Sequence, residues 1–161
     1  AQELAADLTS FVPGRAVDDN AHIWLRFKGG AKGQLWVSQV AVGNENALRL
    51  RIYGDKGGLE WEQENPNILW FTPLGGLRQR LTRGSGALSE AATAATRIPA
   101  GHPEGYLEAF ATLYSDVADV LVNGASAHHL PNIMDGLDGM WFIEACIASS
   151  KNNGTWCERN L

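Results

Sequence analysis

The first half of the chain alternates between apolar and polar side chains. From Ala21 to Lys28 it sets Ala21, Ile23, Leu25 and Phe27 against His22, Trp24, Arg26 and Lys28, the period-two pattern of a half-buried strand. Gly29-Gly30 interrupts the run and predicts a hairpin. The next run, Lys32 to Val42, carries Leu35 and Val37 on one side and Gln34, Trp36 and Ser38 on the other. A third, Ala47 to Tyr53, opposes Leu48, Leu50 and Ile52 to Arg49, Arg51 and Tyr53 before Gly54-Asp55-Lys56-Gly57-Gly58 turns the chain. Leu59 to Gln63, Ile68 to Thr72 and Leu77 to Thr82 continue the series, and Glu3 to Phe11 precedes it. Strand signals spaced by about ten residues predict an antiparallel meander of about seven strands.

The period then changes. Residues 84–101 are small and Ala-rich and predict a surface connection with one short helix around Ser89 to Ala95. From Pro103 the residues Leu107, Phe110, Ala111, Tyr114, Val117, Ala118 and Leu121 follow helical spacing, Pro103 and Glu104 suit a first turn, and Gly124 suits a stop. A second helix is predicted from Pro131-Asn132 to Asn152-Asn153-Gly154, with Ile133, Leu137, Met140, Trp141, Ala145 and Ala148 inward, and Thr155 to Cys157 can add a last short strand. Strands followed by helices predict an α+β domain: an open, largely antiparallel sheet of about seven strands with helices packed on one face. The other face then carries Trp24, Trp36, Arg49, Arg51 and Tyr53. Two tryptophans there expose on the order of 300–500 Å², a patch that marks an interface.

Length and composition narrow the function. A chain of 161 residues with 45% hydrophobic and 19% charged positions and a net charge of -5 describes one soluble globular domain over residues 1–161. The acidic balance argues against a nucleic-acid partner, no apolar run approaches the roughly 20 residues that span a membrane, and the expected location is the cytoplasm. Arg78, Arg80 and Arg83 alternate and read as a solvated strand face or, alternatively, an anion site. Cys146 and Cys157 have no metal-ligand spacing and are expected as free thiols, with no metal site.

Candidate chemistry is sparse. His22 reads as a surface or interface residue, and the adjacent His128-His129 as a loop, because neighbouring imidazoles on an extended chain point apart. His102 stands out in Gly101-His102-Pro103-Glu104-Gly105-Tyr106, where a loop delivers an imidazole, a carboxylate and a phenol to a helix start. That suits a polyhydroxylated or anionic ligand. The alternative is that His102 and Glu104 only cap the helix. The chain contains no GxGxxG, P-loop, GxSxG or HExxH. Asp18-Asp19 and Asp135 with Asp138 fit turn and cap roles.

Several segments together resemble one family. They are Asp18-Asp19-Asn20-Ala21, the Phe27 to Gly33 hairpin, Leu50 to Trp61, Gly101 to Tyr106 with Ala109-Phe110, and Leu130-Pro131 leading to Asp135-Gly136-Leu137 and Glu144-Ala145. Their order and spacing resemble the C-terminal domain of the glucose-fructose oxidoreductase, inositol dehydrogenase and MocA-like (Gfo/Idh/MocA) oxidoreductases. The resemblance implies a longer protein whose N-terminal Rossmann domain binds NAD or NADP and holds the proton-transfer groups. This chain would then supply no catalytic and no cofactor-binding residue and bind no cofactor alone. It implies a share of a sugar or polyol cleft for His102, Glu104 and Tyr106, and a homo-oligomer through the sheet face of Trp24, Trp36, Arg49, Arg51 and Tyr53. The competing reading is a non-catalytic scaffold whose aromatic sheet face binds a protein partner. A third, a small α+β cone enzyme, needs convergent His and Asp residues that the pattern does not supply.

Overall fold

The computed structural model describes residues 1–86, 88–126 and 130–159. They form an α+β structure with eight strands and three helices. The strands make two four-stranded antiparallel sheets. Two compact units contain them: residues 1–43 with 131–161, and residues 44–130.

In the first unit β1 (Glu3–Thr9), β2 (Asn20–Arg26), β3 (Lys32–Ser38) and the short β8 (Cys157–Glu158) lie in the order β3-β2-β1-β8. The predicted alternation of β2 holds: Ala21 and Ile23 are buried, and Ala6 faces Ile23 across the ladder. Helix α3 (Ile133–Lys151) covers this face, so that Leu4, Ala6, Ala21, Ile23, Ala145 and Cys146 form one core against which Trp141 and Phe142 pack. Of the residues expected inward on α3, Trp141 and Ala145 do pack there, but Ile133, Leu137, Met140 and Ala148 are exposed while Cys146 and Ser149 are buried, so the inward stripe is rotated in part. The helix starts as expected, with Asn132 as N-cap and Asp135 accepting the Asn132 amide. Burial pushes the Cys146 thiol up to about 11, and both cysteines are free.

The rotation has a polar cause. Strand β8 pairs only with Glu3 and Leu4 of β1, which leaves the amides of Ala6 and Leu8 without a ladder partner on that side. Ser149 Oγ, fully buried, accepts the Ala6 amide at 2.8 Å and donates to the Thr155 carbonyl at 2.7 Å, while Ser150 Oγ accepts the Leu8 amide at 3.0 Å. Two serines near the end of α3 thus finish an otherwise open strand edge. Asp19, also buried, closes the β1–β2 connection by accepting the Phe11 and Val12 amides at 2.9 and 3.0 Å, with Arg15 at 3.4 Å. The Phe11 bond, helped by Val12 and Arg15, holds the Asp19 carboxyl below the usual carboxylate range against the opposing effect of burial.

The second unit holds β4 (Arg49–Tyr53), β5 (Gly57–Glu62), β6 (Ile68–Pro73) and β7 (Gln79–Thr82) in sequential order, with α1 (Glu90–Ala94) and α2 (Tyr106–Asn123) after them. In place of the single sheet expected from the sequence there are two, and β3 stops at Ser38, short of the predicted Val42. Ser38 Oγ accepts the Val40 amide at 3.2 Å and the Val42 amide turns back to the Val40 carbonyl at 3.0 Å, a local bend that ends the ladder. At the start of β5 the glycines are steric necessities: a Cβ on Gly57 would stand 2.5 Å from the Thr72 carbonyl oxygen, and one on Gly58 2.9 Å from the Tyr53 ring. The expectation of helices packed on one face is met by α3; α1 and α2 bury none of their residues. No helix among the described residues is long and apolar enough to cross a membrane.

Ser149→Ala leaves the buried Ala6 amide unpaired and is expected to cost about 1–3 kcal/mol of stability in urea unfolding, against ~1 kcal/mol or less for Ser150→Ala. Equal losses at the two positions would contradict the edge-capping role. Asp19 titrates lower in the folded than in the unfolded chain, so its contribution is complete above the ordinary carboxylate range and is lost as pH falls through the folded value. Asp19→Asn is expected to flatten the acid side of the stability–pH curve; an unchanged acid side would refute the assignment.

Candidate functional site

The segment 97–105 owes its path to three side chains from other parts of the second unit. Arg83 follows the last residue of β7, where the strand has ended and its side chain turns inward. Its Nε donates to Asn67 Oδ1 at 2.7 Å, and its terminal nitrogens reach the carbonyls of Ile98 (2.6 Å), Pro99 (3.3 Å) and His102 (2.7 Å). The same guanidinium pairs with Glu104 at 2.6 Å. Asn67 also bonds the backbone of Glu104, donating to its carbonyl at 2.9 Å and accepting its amide at 3.3 Å. Reading Arg83 as part of a solvated face is thereby corrected, because a planar fork of donors meets a set of fixed acceptors. Arg78 does lie outside, over the Trp70 ring at 4.3 Å and beside Glu60 at 3.1 Å.

Glu104 is buried, and its two carboxylate oxygens accept the Arg97 amide at 2.8 Å and the Ile98 amide at 3.2 Å in addition to Arg83. With its side chain turned back in this way, residues 103–105 cannot enter the helix, and α2 begins at Tyr106 and not at Pro103. The capping role weighed for Glu104 belongs instead to Glu108, whose carboxylate accepts the Gly105 amide at 2.8 Å. That bond is the largest of the causes that hold the Glu108 carboxyl below its ordinary range. Arg97 also fastens the helix, through Thr112 Oγ1, the Ala111 carbonyl and Ser115 Oγ.

Around this framework lies a cleft of about 560 Å³ whose polar lining includes Asn65, Asn67, Arg80, Arg83, His102 and Glu104. Arg83 and Glu104 neutralise each other. His102 is exposed, and it and Arg80 offer the cleft side-chain nitrogens that none of the described residues occupies. Tyr106, exposed, opens α2 with its ring 4.9 Å from that of Phe110 but is not among the cleft-lining residues. Of the three residues singled out in the sequence, one therefore lines the cleft freely, one is consumed in holding it, and one stands beside it.

The remaining candidates divide between the units. In the first, Trp24 and Trp36 occupy the sheet face opposite α3 and are 54% and 58% exposed. His22 stacks on Trp36 with ring centroids 6.0 Å apart. In the second, Arg49, Arg51 and Tyr53 share one face of their sheet, Arg49 lying 3.6 Å from Glu62 and Arg51 opposite Glu60 in the register. His128-His129 lie outside the described residues. No group of three His, Cys, Asp or Glu among the described residues is placed to hold a metal. Nor do these residues fit a dinucleotide. The strand pairs of both sheets among the described residues are antiparallel, so they supply no parallel strand–helix–strand unit of the kind that cradles a pyrophosphate.

Residues 1–60 match the family model described as the GFO/IDH/MocA C-terminal domain. The uncharacterized oxidoreductase YfiI of Bacillus subtilis (strain 168) is 33% identical over 166 residues, covering 98% of this chain and 42% of its own. The chain belongs to the GFO/IDH/MocA C-terminal domain family. Among solved structures, an oxidoreductase from Sinorhizobium meliloti is 52% identical with a TM-score of 0.91, over 98% of this chain and 46% of its own. An inositol dehydrogenase homolog from Azotobacter vinelandii, complexed with NADH and myo-inositol, is 36% identical with a TM-score of 0.88, over 98% of this chain and 44% of its own. This GFO/IDH/MocA domain thus spans less than half the length of each of these relatives.

Within the domain, Asn67 and Arg97 escaped the sequence reading, and Arg83 was read there only as part of a strand face or an anion site. The available signal was the Asn65-Pro66-Asn67 turn and an arginine next to Gly84, neither of which names its distant acceptors. Removing one partner of the buried pair, as in Arg83→Met, is expected to cost roughly 3–5 kcal/mol. The double variant Arg83→Met with Glu104→Gln should recover part of that loss. In the single variant the amides of Arg97 and Ile98 should lose protection from hydrogen exchange. Retained protection there would show that the segment holds its path without Arg83.

Proposed function

We propose that this chain is the substrate-side and assembly portion of an NAD(P)-dependent oxidoreductase acting on a sugar, a polyol or a derivative of one. The observation that carries the reading is the likeness, over nearly the whole chain, to the inositol dehydrogenase homolog complexed with NADH and myo-inositol. His102 donates to or accepts from a substrate hydroxyl at the cleft, with Tyr106 beside it. Glu104 is a positioning residue that keeps the His102 loop in place through Arg83. NAD or NADP supplies the hydride acceptor, held by a nucleotide-binding Rossmann domain of the same polypeptide, a reading supported by the NADH complex of the inositol dehydrogenase homolog. Two free thiols suit the reducing cytoplasm as its setting.

Assembly is assigned to the exposed aromatic face of Trp24 and Trp36 and to the face of Arg49, Arg51 and Tyr53, which join copies into a homo-oligomer. The exposed tryptophans equally favour a second reading, a binding module that uses this face for a protein partner without contributing to catalysis. Fluorescence titration of the 161-residue chain with NADH separates cofactor from substrate duties. No saturable binding is expected up to millimolar NADH, and tight binding by this chain would overturn the division proposed.

A further inference from the structure

The two free thiols take no part in the cleft, and both belong to the first unit. Cys146 is buried on α3 in the core cluster that includes Leu4, and the half-buried Cys157 of β8 packs against that cluster. The β1–β8 ladder sets Leu4 directly opposite Cys157, and opposed residues of an antiparallel pair carry their side chains on the same face. Leu4 is fully buried under α3, so the Cys157 side chain is turned to the same helix.

A second set of contacts gives the position along that helix. Cys157 Sγ lies 3.8 Å from the Thr155 carbonyl oxygen, which also accepts Ser149 Oγ at 2.7 Å. Ser149 follows Cys146 by three residues and shares its face of α3. Helix and sheet are as close here as one short side chain allows, for Ser149 Oγ reaches the Ala6 amide at 2.8 Å; a disulfide bridges backbones whose Cα atoms are within about 7 Å. The strand is further tied to α3 by Arg159, which bonds Asp138 through its side chain and the Gln2 carbonyl through its amide.

We propose that Cys146 and Cys157 form a dithiol modification site, which a small disulfide such as glutathione disulfide oxidises to an intrachain bond joining α3 to β8. The Cys157 thiol loses its proton, and its sulfur attacks one sulfur of glutathione disulfide and expels a first glutathione, which takes up a proton. Cys146 then loses its proton, attacks the Cys157 sulfur of the mixed disulfide and expels the second glutathione, so that two protein thiols are oxidised and one glutathione disulfide is reduced to two thiols. Burial sets this order: the Cys146 thiol, pushed up to about 11 by burial and by the neighbouring Cys157, is the poorer first nucleophile. The ring closed by residues 146–157 encloses Ser149, Ser150 and Thr155, the groups that finish the β1 edge.

The test equilibrates the complete polypeptide with glutathione disulfide under native conditions, blocks the remaining thiols and maps the peptides without reduction; trypsin cuts after Lys151, between the two cysteines. A peptide pair linked through Cys146 and Cys157 is expected, with the Ala6 and Leu8 amides exchanging hydrogen several-fold more slowly than in the reduced protein. Cys146→Ala should stop at a glutathione adduct on Cys157, and Cys157→Ser should leave Cys146 unmodified; the linked pair in the parent protein decides the matter if either variant fails to fold by circular dichroism. A stable glutathione adduct on Cys157 of the parent protein, a linked pair that forms only in urea, or unslowed exchange at both amides in the oxidised protein overturns the proposal.

Discussion

The guanidinium of Arg83 is shared among a carboxylate, an amide oxygen and three backbone carbonyls, and segment 97–105 follows the path that lets all of them be reached. Burial of Glu104 demands this arrangement, because a carboxylate taken out of water needs a full complement of donors. The late start of α2 and the placing of His102 at the cleft accompany it. A single ion pair thereby links the end of a strand to the geometry of the candidate site.

The first unit is organised on the same principle with neutral groups. Strand β1 has a ladder partner on β2 along its whole length but only two residues of β8 on its other edge, and the remaining amides have to be met from α3. Small residues at Ala145, Cys146 and Ser149 let the helix come close enough for Ser149 and Ser150 to do so. Packing and hydrogen bonding select the same helix face, which is why the larger apolar residues Met140 and Ile133 are left outside.

Periodicity made most of the fold legible. The alternation of Ala21 to Phe27, the glycine turns, the short helix after Ser89 and the stops at Gly124 and Asn152 all express local chemistry, and local chemistry is what a sequence displays directly. The end of β3 at Ser38 was not legible, since a serine hydroxyl bending the chain leaves no mark on the hydrophobic pattern. The inward face of α3 was misjudged for a related reason: hydrophobicity favours Ile133 and Met140, whereas the contact is decided by the needs of two backbone amides. At the candidate site the His102 segment was visible as an unusual cluster, but the acceptors of Arg83 lie 15 to 21 residues from it in the chain and become apparent only in three dimensions.

The proposed function would give these features a common purpose, in which this part of a longer enzyme shapes a substrate cleft and another part carries the nucleotide. That division is tested most directly by steady-state kinetics of the complete polypeptide with and without His102→Ala. The variant is expected to raise KM for the sugar or polyol by about tenfold or more, the worth of a hydrogen bond of ~1.4 kcal/mol, while the Kd for NADH stays unchanged. A variant that weakens NADH binding and leaves the substrate KM as it was would contradict the account.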